Sequence, residues 1–102
     1  MNAKNELLEE VGKIRIKCAE IKYGPWGKPS QEFLLKVGYS ENDLIEFLGN
    51  LDFEYDDGYG SQELDGTVWL QDGTWLDRGE YDGSEWWAHR MLPIIPHKLL
   101  SK

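Results

Sequence analysis

Gly66-Thr67-Val68-Trp69-Leu70-Gln71-Asp72-Gly73-Thr74-Trp75-Leu76-Asp77-Arg78-Gly79-Glu80-Tyr81-Asp82-Gly83-Ser84-Glu85-Trp86-Trp87-Ala88-His89-Arg90-Met91 is a run of β-forming residues broken twice by Asp-Gly, ten residues apart. Asp-Gly supplies the positive φ that a two-residue hairpin turn requires, so the stretch predicts an antiparallel meander of three strands. Two-residue turns would set Leu70 opposite Trp75, Trp69 opposite Leu76 and Val68 opposite Asp77. They would also set Tyr81 opposite Ser84, Gly79 opposite Trp86 and Asp77 opposite Ala88.

Side chains alternate across a strand, so this register lists two faces. Val68, Leu70, Trp75, Tyr81, Trp86 and Ala88, with Asp77 and Arg90, form the expected core side. Thr67, Trp69, Leu76 and Trp87, with Arg78, Glu80, Glu85 and His89, form the expected outward side, whose mixture of aromatic and charged groups suits a contact surface. A slip of one residue at either turn exchanges the faces.

Upstream of the meander, Asn2 or Asn5 can cap a helix with Ala3, Leu7, Leu8 and Val11 at helical spacing, ending near Gly12. From Lys13 the period becomes two. Ile14, Ile16 and Cys18 alternate with Arg15, Lys17 and Ala19, a strand to about Tyr23. Gly24-Pro25-Trp26-Gly27-Lys28-Pro29-Ser30 is a loop, because proline lacks the ladder donor and glycine weakens a strand. Gln31 to Tyr39 alternates again. Ser40 with Asp43 then forms a capping box for a helix over residues 41–48, stopped by Gly49. Leu51, Phe53 and Tyr55 suggest one more strand before the acidic Asp56-Asp57-Gly58-Tyr59-Gly60 loop.

The fold class expected is therefore α+β, an antiparallel sheet of about five to six strands with two short helices packed on one face. At 102 residues, with five Trp, five Tyr and three Phe, the chain can build one core, so a single domain over residues 1–102 is expected. Cys18 is the only cysteine. A lone thiol in an apolar run, with neither a signal peptide nor a membrane span in sight, points to a cytoplasmic protein with no membrane partner.

The net charge of −8 is unevenly spread. Asp52 to Glu85 holds eleven acidic residues against Arg78 alone, a charge of −10, whereas Trp86 to Lys102 holds three basic residues and no acidic one. Such acidity disfavours direct nucleic-acid contact, since a binder must neutralise phosphates.

Few residues suggest chemistry. Asp52, Glu54, Asp56 and Glu63 match some ligand positions of a calcium loop, but Asp57 stands where that loop turns on glycine. Gly58-Tyr59-Gly60-Ser61 lacks the lysine of a phosphate loop, and His89 and His97 lack companions at ligand spacing. Cys18 sits on an apolar strand face, unlike a reactive thiolate. Glu80 and Glu85, opposite each other across the second hairpin, could form a carboxylate pair with a raised pKa, the basis of an enzymatic alternative. Pro93-Ile94-Ile95-Pro96 has polyproline-ligand spacing, although it reads more simply as the chain leaving the sheet. No cofactor is expected.

What remains is an aromatic sheet among carboxylates, suited to a basic protein surface of the kind that ordinarily holds nucleic acid. The expected contact residues are Glu54, Asp56, Asp57, Tyr59, Glu63, Asp65, Trp69, Arg78, Glu80, Glu85 and Trp87. A second alternative is a nucleotide- or small-molecule-sequestering protein, with Trp69, Trp87 and Arg78 lining a stacking pocket. The stretches Gly66 to Trp75, Glu80 to Trp87 and Pro93 to Pro96 resemble small phage-encoded proteins of unassigned function. The resemblance covers the last third of the chain and implies a viral inhibitor of a host defence or nucleic-acid-handling enzyme, acting as a nucleic-acid mimic.

Overall fold

The chain begins by satisfying its own helix end. Asn2 Oδ1 accepts the Asn5 N–H at 2.9 Å, starting helix α1 over Ala3–Val11, which buries Ala3, Leu7 and Val11 along one side. The computed structural model describes residues 1–24, 29–55, 62–81 and 84–100. After α1 come strand β1 (Ile16–Tyr23), β2 (Gln31–Leu35), helix α2 (Glu41–Asn50), then β3 (Leu64–Leu70), β4 (Trp75–Tyr81) and β5 (Ser84–Arg90). A short 3-10 turn, His97–Leu99, follows. No helix among the described residues is long and apolar enough to cross a membrane.

The expected α+β class holds. Five antiparallel strands form one sheet in the order β2-β1-β3-β4-β5, and both helices contribute to one hydrophobic cluster against one of its faces. Leu7 and Val11 of α1 and Phe47 of α2 meet Ile21, Leu35, Val68, Leu70 and Leu76 there. The capping box of α2 forms as expected: Asp43 N–H donates to Ser40 Oγ at 3.1 Å and Ser40 N–H to Asp43 Oδ2 at 3.0 Å.

Two strands are shorter or absent relative to expectation. β2 ends at Leu35, because Gly38 turns the chain at φ 82° and Tyr39 instead donates its hydroxyl to the Ile16 carbonyl at 2.5 Å. Leu51 to Tyr55 does not enter the sheet. Its apolar alternation buries Leu51 and Tyr55, but its backbone bonds to the end of α2, through Leu51 N–H to Leu48 O (3.1 Å), and to the first residues of the chain, through Ala3 N–H to Phe53 O (2.9 Å) and Tyr55 N–H to Met1 O (3.0 Å). Phe53 closes this end of the core against Tyr23 and Phe33, at ring separations of 4.5 and 5.9 Å.

Register decides the rest. The second hairpin pairs as expected, with Tyr81 opposite Ser84, Gly79 opposite Trp86 and Asp77 opposite Ala88; its Asp82-Gly83 turn lies outside the described residues. The first does not. Val68 faces Leu76 and Trp69 faces Trp75, one residue out from the expected pairing. Leu70 N–H donates to Thr74 O at 2.9 Å and Gly73 N–H to Leu70 O at 3.2 Å, with Gly73 at φ 88°. That is a three-residue loop, a type I turn closed by a glycine bulge, rather than a two-residue turn. Asp72 Oδ1 holds it by accepting the Thr74 N–H at 2.9 Å.

The consequence is an inversion of β4 and β5. Leu76, Arg78, Glu85 and Trp87 turn inward, while Trp75, Tyr81 and Trp86 turn outward, contrary to the faces expected from two-residue turns. A similar offset occurs in β1, where a bulge between Ile16 and Cys18 lets Ile16, Ala19 and Ile21 all point inward. Cys18, expected among the apolar side chains, is therefore only partly buried, on the opposite face beside Trp69.

Candidate functional site

Strand pairing places the side chains of the helix-free face in rows. Cys18, Trp69, Trp75 and Arg90 lie side by side across β1, β3, β4 and β5, and Leu34, Glu20, Thr67, Asp77 and Ala88 form the next row. No helix among the described residues covers them. Trp69 is 41% exposed, Trp86 43% and Tyr81 77%, so three large aromatic side chains present much of their surface to solvent on this face. Scattered exposed apolar residues are ordinary, but a group of this kind framed by polar ones marks a contact surface.

Acidic side chains slightly outnumber basic ones on it. Glu20, Glu32, Asp65 and Asp77 share the face with Lys22 and Arg90, Lys17 stands beside Trp69 at its edge, and Arg90 Nε is already held by Asp77 Oδ1 at 3.1 Å. Trp86 keeps its place by lying over Gly79, where a Cβ would meet the indole at 2.6 Å. Glycine there lets the ring lie flat on the backbone.

On the other face, three of the expected contact residues are interior. The side chains of Arg78 and Glu85 are both 0% exposed and Trp87 is 4% exposed, so they cannot meet a partner. Arg78 donates Nη1–H to Glu6 Oε1 at 3.2 Å, Nε–H to the Leu64 carbonyl at 3.2 Å and Nη2–H to the Tyr55 hydroxyl at 3.0 Å, and forms an ion pair with Glu85. Its guanidinium stacks 4.9 Å from the Trp87 ring centroid. Glu85 is saturated: Oε1 also accepts the Leu64 N–H at 3.1 Å and Oε2 the Glu63 N–H at 2.8 Å.

A buried guanidinium is tolerable only with such compensation, which ties α1, the 52–55 segment, β3, β4 and β5 to one cation. Tyr55 donates to Glu6 within the same cluster. Burial, and then that carboxylate, raise the Tyr55 pKa against the opposing charge of Arg78. Arg78 itself is raised: burial opposes its charge, while Glu85, Glu6 and Tyr55 favour it.

Each remaining expected site residue has a definite place. Asp65 and Trp69 lie on the open face. Glu54 is exposed and pairs with the amino terminus at 3.4 Å, and Glu63 flanks β3. Glu80 faces Glu85 across the hairpin as expected, but Glu80 is exposed while Glu85 is engaged as above. Asp56, Asp57 and Tyr59 lie outside the described residues. The sheet separates Trp69 from Trp87 and Arg78, so these three do not line one pocket. Trp75, Tyr81 and Trp86, assigned inward from the sequence, belong to the open face. Only the length of the first turn hid them.

Fold and surface together define a class: a two-layer α+β protein whose antiparallel sheet keeps one aromatic, carboxylate-edged face uncovered. No protein-family model, no curated protein and no solved structure matches the chain.

Proposed function

We propose that this is a non-enzymatic binding protein that uses the uncovered sheet face to engage a basic protein surface of the kind that ordinarily holds nucleic acid. The supporting observation is the grouping of Trp69, Trp75, Trp86 and Tyr81 on one face among Glu20, Glu32, Asp65 and Asp77. Aromatic side chains anchor interfaces with little loss of side-chain freedom, and surrounding carboxylates steer a cationic partner while repelling an anionic one. Inhibition of a host nucleic-acid-handling enzyme by mimicry is the biological form this reading takes.

The test is affinity capture from host lysate with mass spectrometric identification, using the intact protein and the variants Trp69→Ser and Trp86→Ser. Basic nucleic-acid-handling proteins should be retained at low salt and lost from both variants. They should also elute as ionic strength rises from about 0.1 to 1 M, where the screening length falls from about 10 to 3 Å. Recovery of no protein partner, or capture unchanged by either variant, rejects the reading.

A further inference from the structure

β2 is an outer strand of the sheet, and its ladder with β1 leaves one side of it open. Gly24 N–H donates to the Glu63 carbonyl at 2.8 Å, one step beyond the pairing of Tyr23 with Leu64. Bonding alternates along an antiparallel strand, so Glu20 and Lys22 also bond toward β3, whereas Ala19, Ile21 and Tyr23 bond toward β2. Their partners there are Leu35, Phe33 and Gln31. The backbone N–H and C=O groups of Glu32 and Leu34 therefore point away from β1, and no strand among the described residues lies beyond them.

A cleft of about 310 Å³ runs along these groups. One wall is the consecutive run Glu32 to Lys36, and the other is Asp43, Glu46, Phe47 and Asn50 of α2. Side chains alternate across a strand, so a cavity on one face of the sheet would be lined by every second residue. An unbroken run places this one along the edge of the strand. The α2 residues follow helical spacing and form a single stripe. An unpaired backbone edge beside a helix stripe is where an extended peptide can add as a further strand, held through its main chain and selected by its alternate side chains.

Charge selects the occupant. Glu32, Asp43 and Glu46 border the cleft against Lys36 alone, while Phe33, Leu35 and Phe47 supply its apolar lining. Charged residues on an outer strand by themselves are ordinary protection against pairing. Here two of the three carboxylates come from the helix across the cleft, where they face an incoming strand. We infer that an extended, lysine- or arginine-bearing segment of a partner protein adds to β2 as a sixth strand in this cleft, exchanging main-chain hydrogen bonds with Glu32 and Leu34. The site uses none of Trp69, Trp75, Tyr81 and Trp86 and is a contact surface separate from them.

Amide-resolved NMR of the full chain, titrated at low salt with a capped hexapeptide alternating lysine and valine, tests this. The Glu32 and Leu34 amide protons should slow in hydrogen exchange as peptide is added, while those of Phe33 and Leu35, already bonded to β1, change little. Leu34→Pro should weaken binding about tenfold or more yet leave the protein folded, because the ladder with β1 does not use the donor that proline removes. Glu46→Lys, at an exposed helix position, should also weaken binding and leaves the β2 backbone intact, so it decides the matter if the proline variant unfolds. The same peptide with glutamate in place of lysine should not bind. No binding of the lysine peptide at millimolar concentration overturns the proposal, as does equal binding of the glutamate peptide. Shifts confined to Trp69, Trp75 and Trp86 overturn it too and put the peptide on the open face. Edge amides protected without peptide, in proportion to protein concentration, make a second copy of the chain the occupant and reject it likewise.

Discussion

Arg78 is held by groups that would themselves be left charged in the interior without it. Arg78→Met should strand the Glu6 and Glu85 carboxylates, whose side chains are 11% and 0% exposed, and cost about 3–5 kcal/mol in urea unfolding. Adding Glu6→Gln and Glu85→Gln to that variant should recover part of the loss. Tyr55 gives the same cluster a pH signature. Its folded pKa is raised, so the folded protein keeps a proton that the unfolded chain releases above pH about 10. The stability from this group is complete below that pH and declines as pH rises through the raised folded value. Tyr55→Phe should be less stable at neutral pH yet show a flatter decline in its urea midpoint between pH about 9 and 11. At this scale the sequence is least legible. Arg78 and Glu85 look like surface charges until strand register puts them inside.

Among the elements, glycines and turn residues carry the most information per position. Gly73 at φ 88° closes the three-residue loop, and Gly73→Ala should cost about 1–2 kcal/mol in chemical unfolding. Ser40→Ala should cost about 1 kcal/mol by removing the α2 cap. Gly66, at φ 144°, admits no side chain because a Cβ would drive into the Glu20 carbonyl. The helices, the meander and the second hairpin's register were readable because caps, alternation and Asp-Gly act locally. The first hairpin was not, since Asp-Gly fits both a two-residue turn and the end of a three-residue loop. Gln71 N–H donating to the Arg15 carbonyl at 2.8 Å is a nonlocal contact at this loop, outside the reach of local patterns. The β1 bulge escaped for the same reason. Two offsets of one residue thus exchanged a proposed contact face for a core.

For the whole molecule, the segment beyond β5 stands out by its exposure, with Met91, Leu92, Ile94, Ile95, Leu99 and Leu100 all largely open to solvent. The radius of gyration, 15.7 Å, exceeds the value near 13 Å usual for a domain of this length, consistent with a projecting segment. Because Ile94 is 89% exposed, Ile94→Asp should change unfolding free energy by less than about 0.5 kcal/mol in urea unfolding. A larger loss would mean that the segment supports its own core. The polarity of the chain was visible early, as an acidic middle and a basic end; that aromatic groups would share one face with carboxylates depended on register. The indole lying over Gly79 also gives the surface an intrinsic magnetic probe. Its ring current should displace the two α-proton resonances of that glycine from their random-coil positions, and anything that docks on the sheet and tilts the ring should move them again. One glycine cross-peak in a proton NMR spectrum would then follow occupancy of the face without a label.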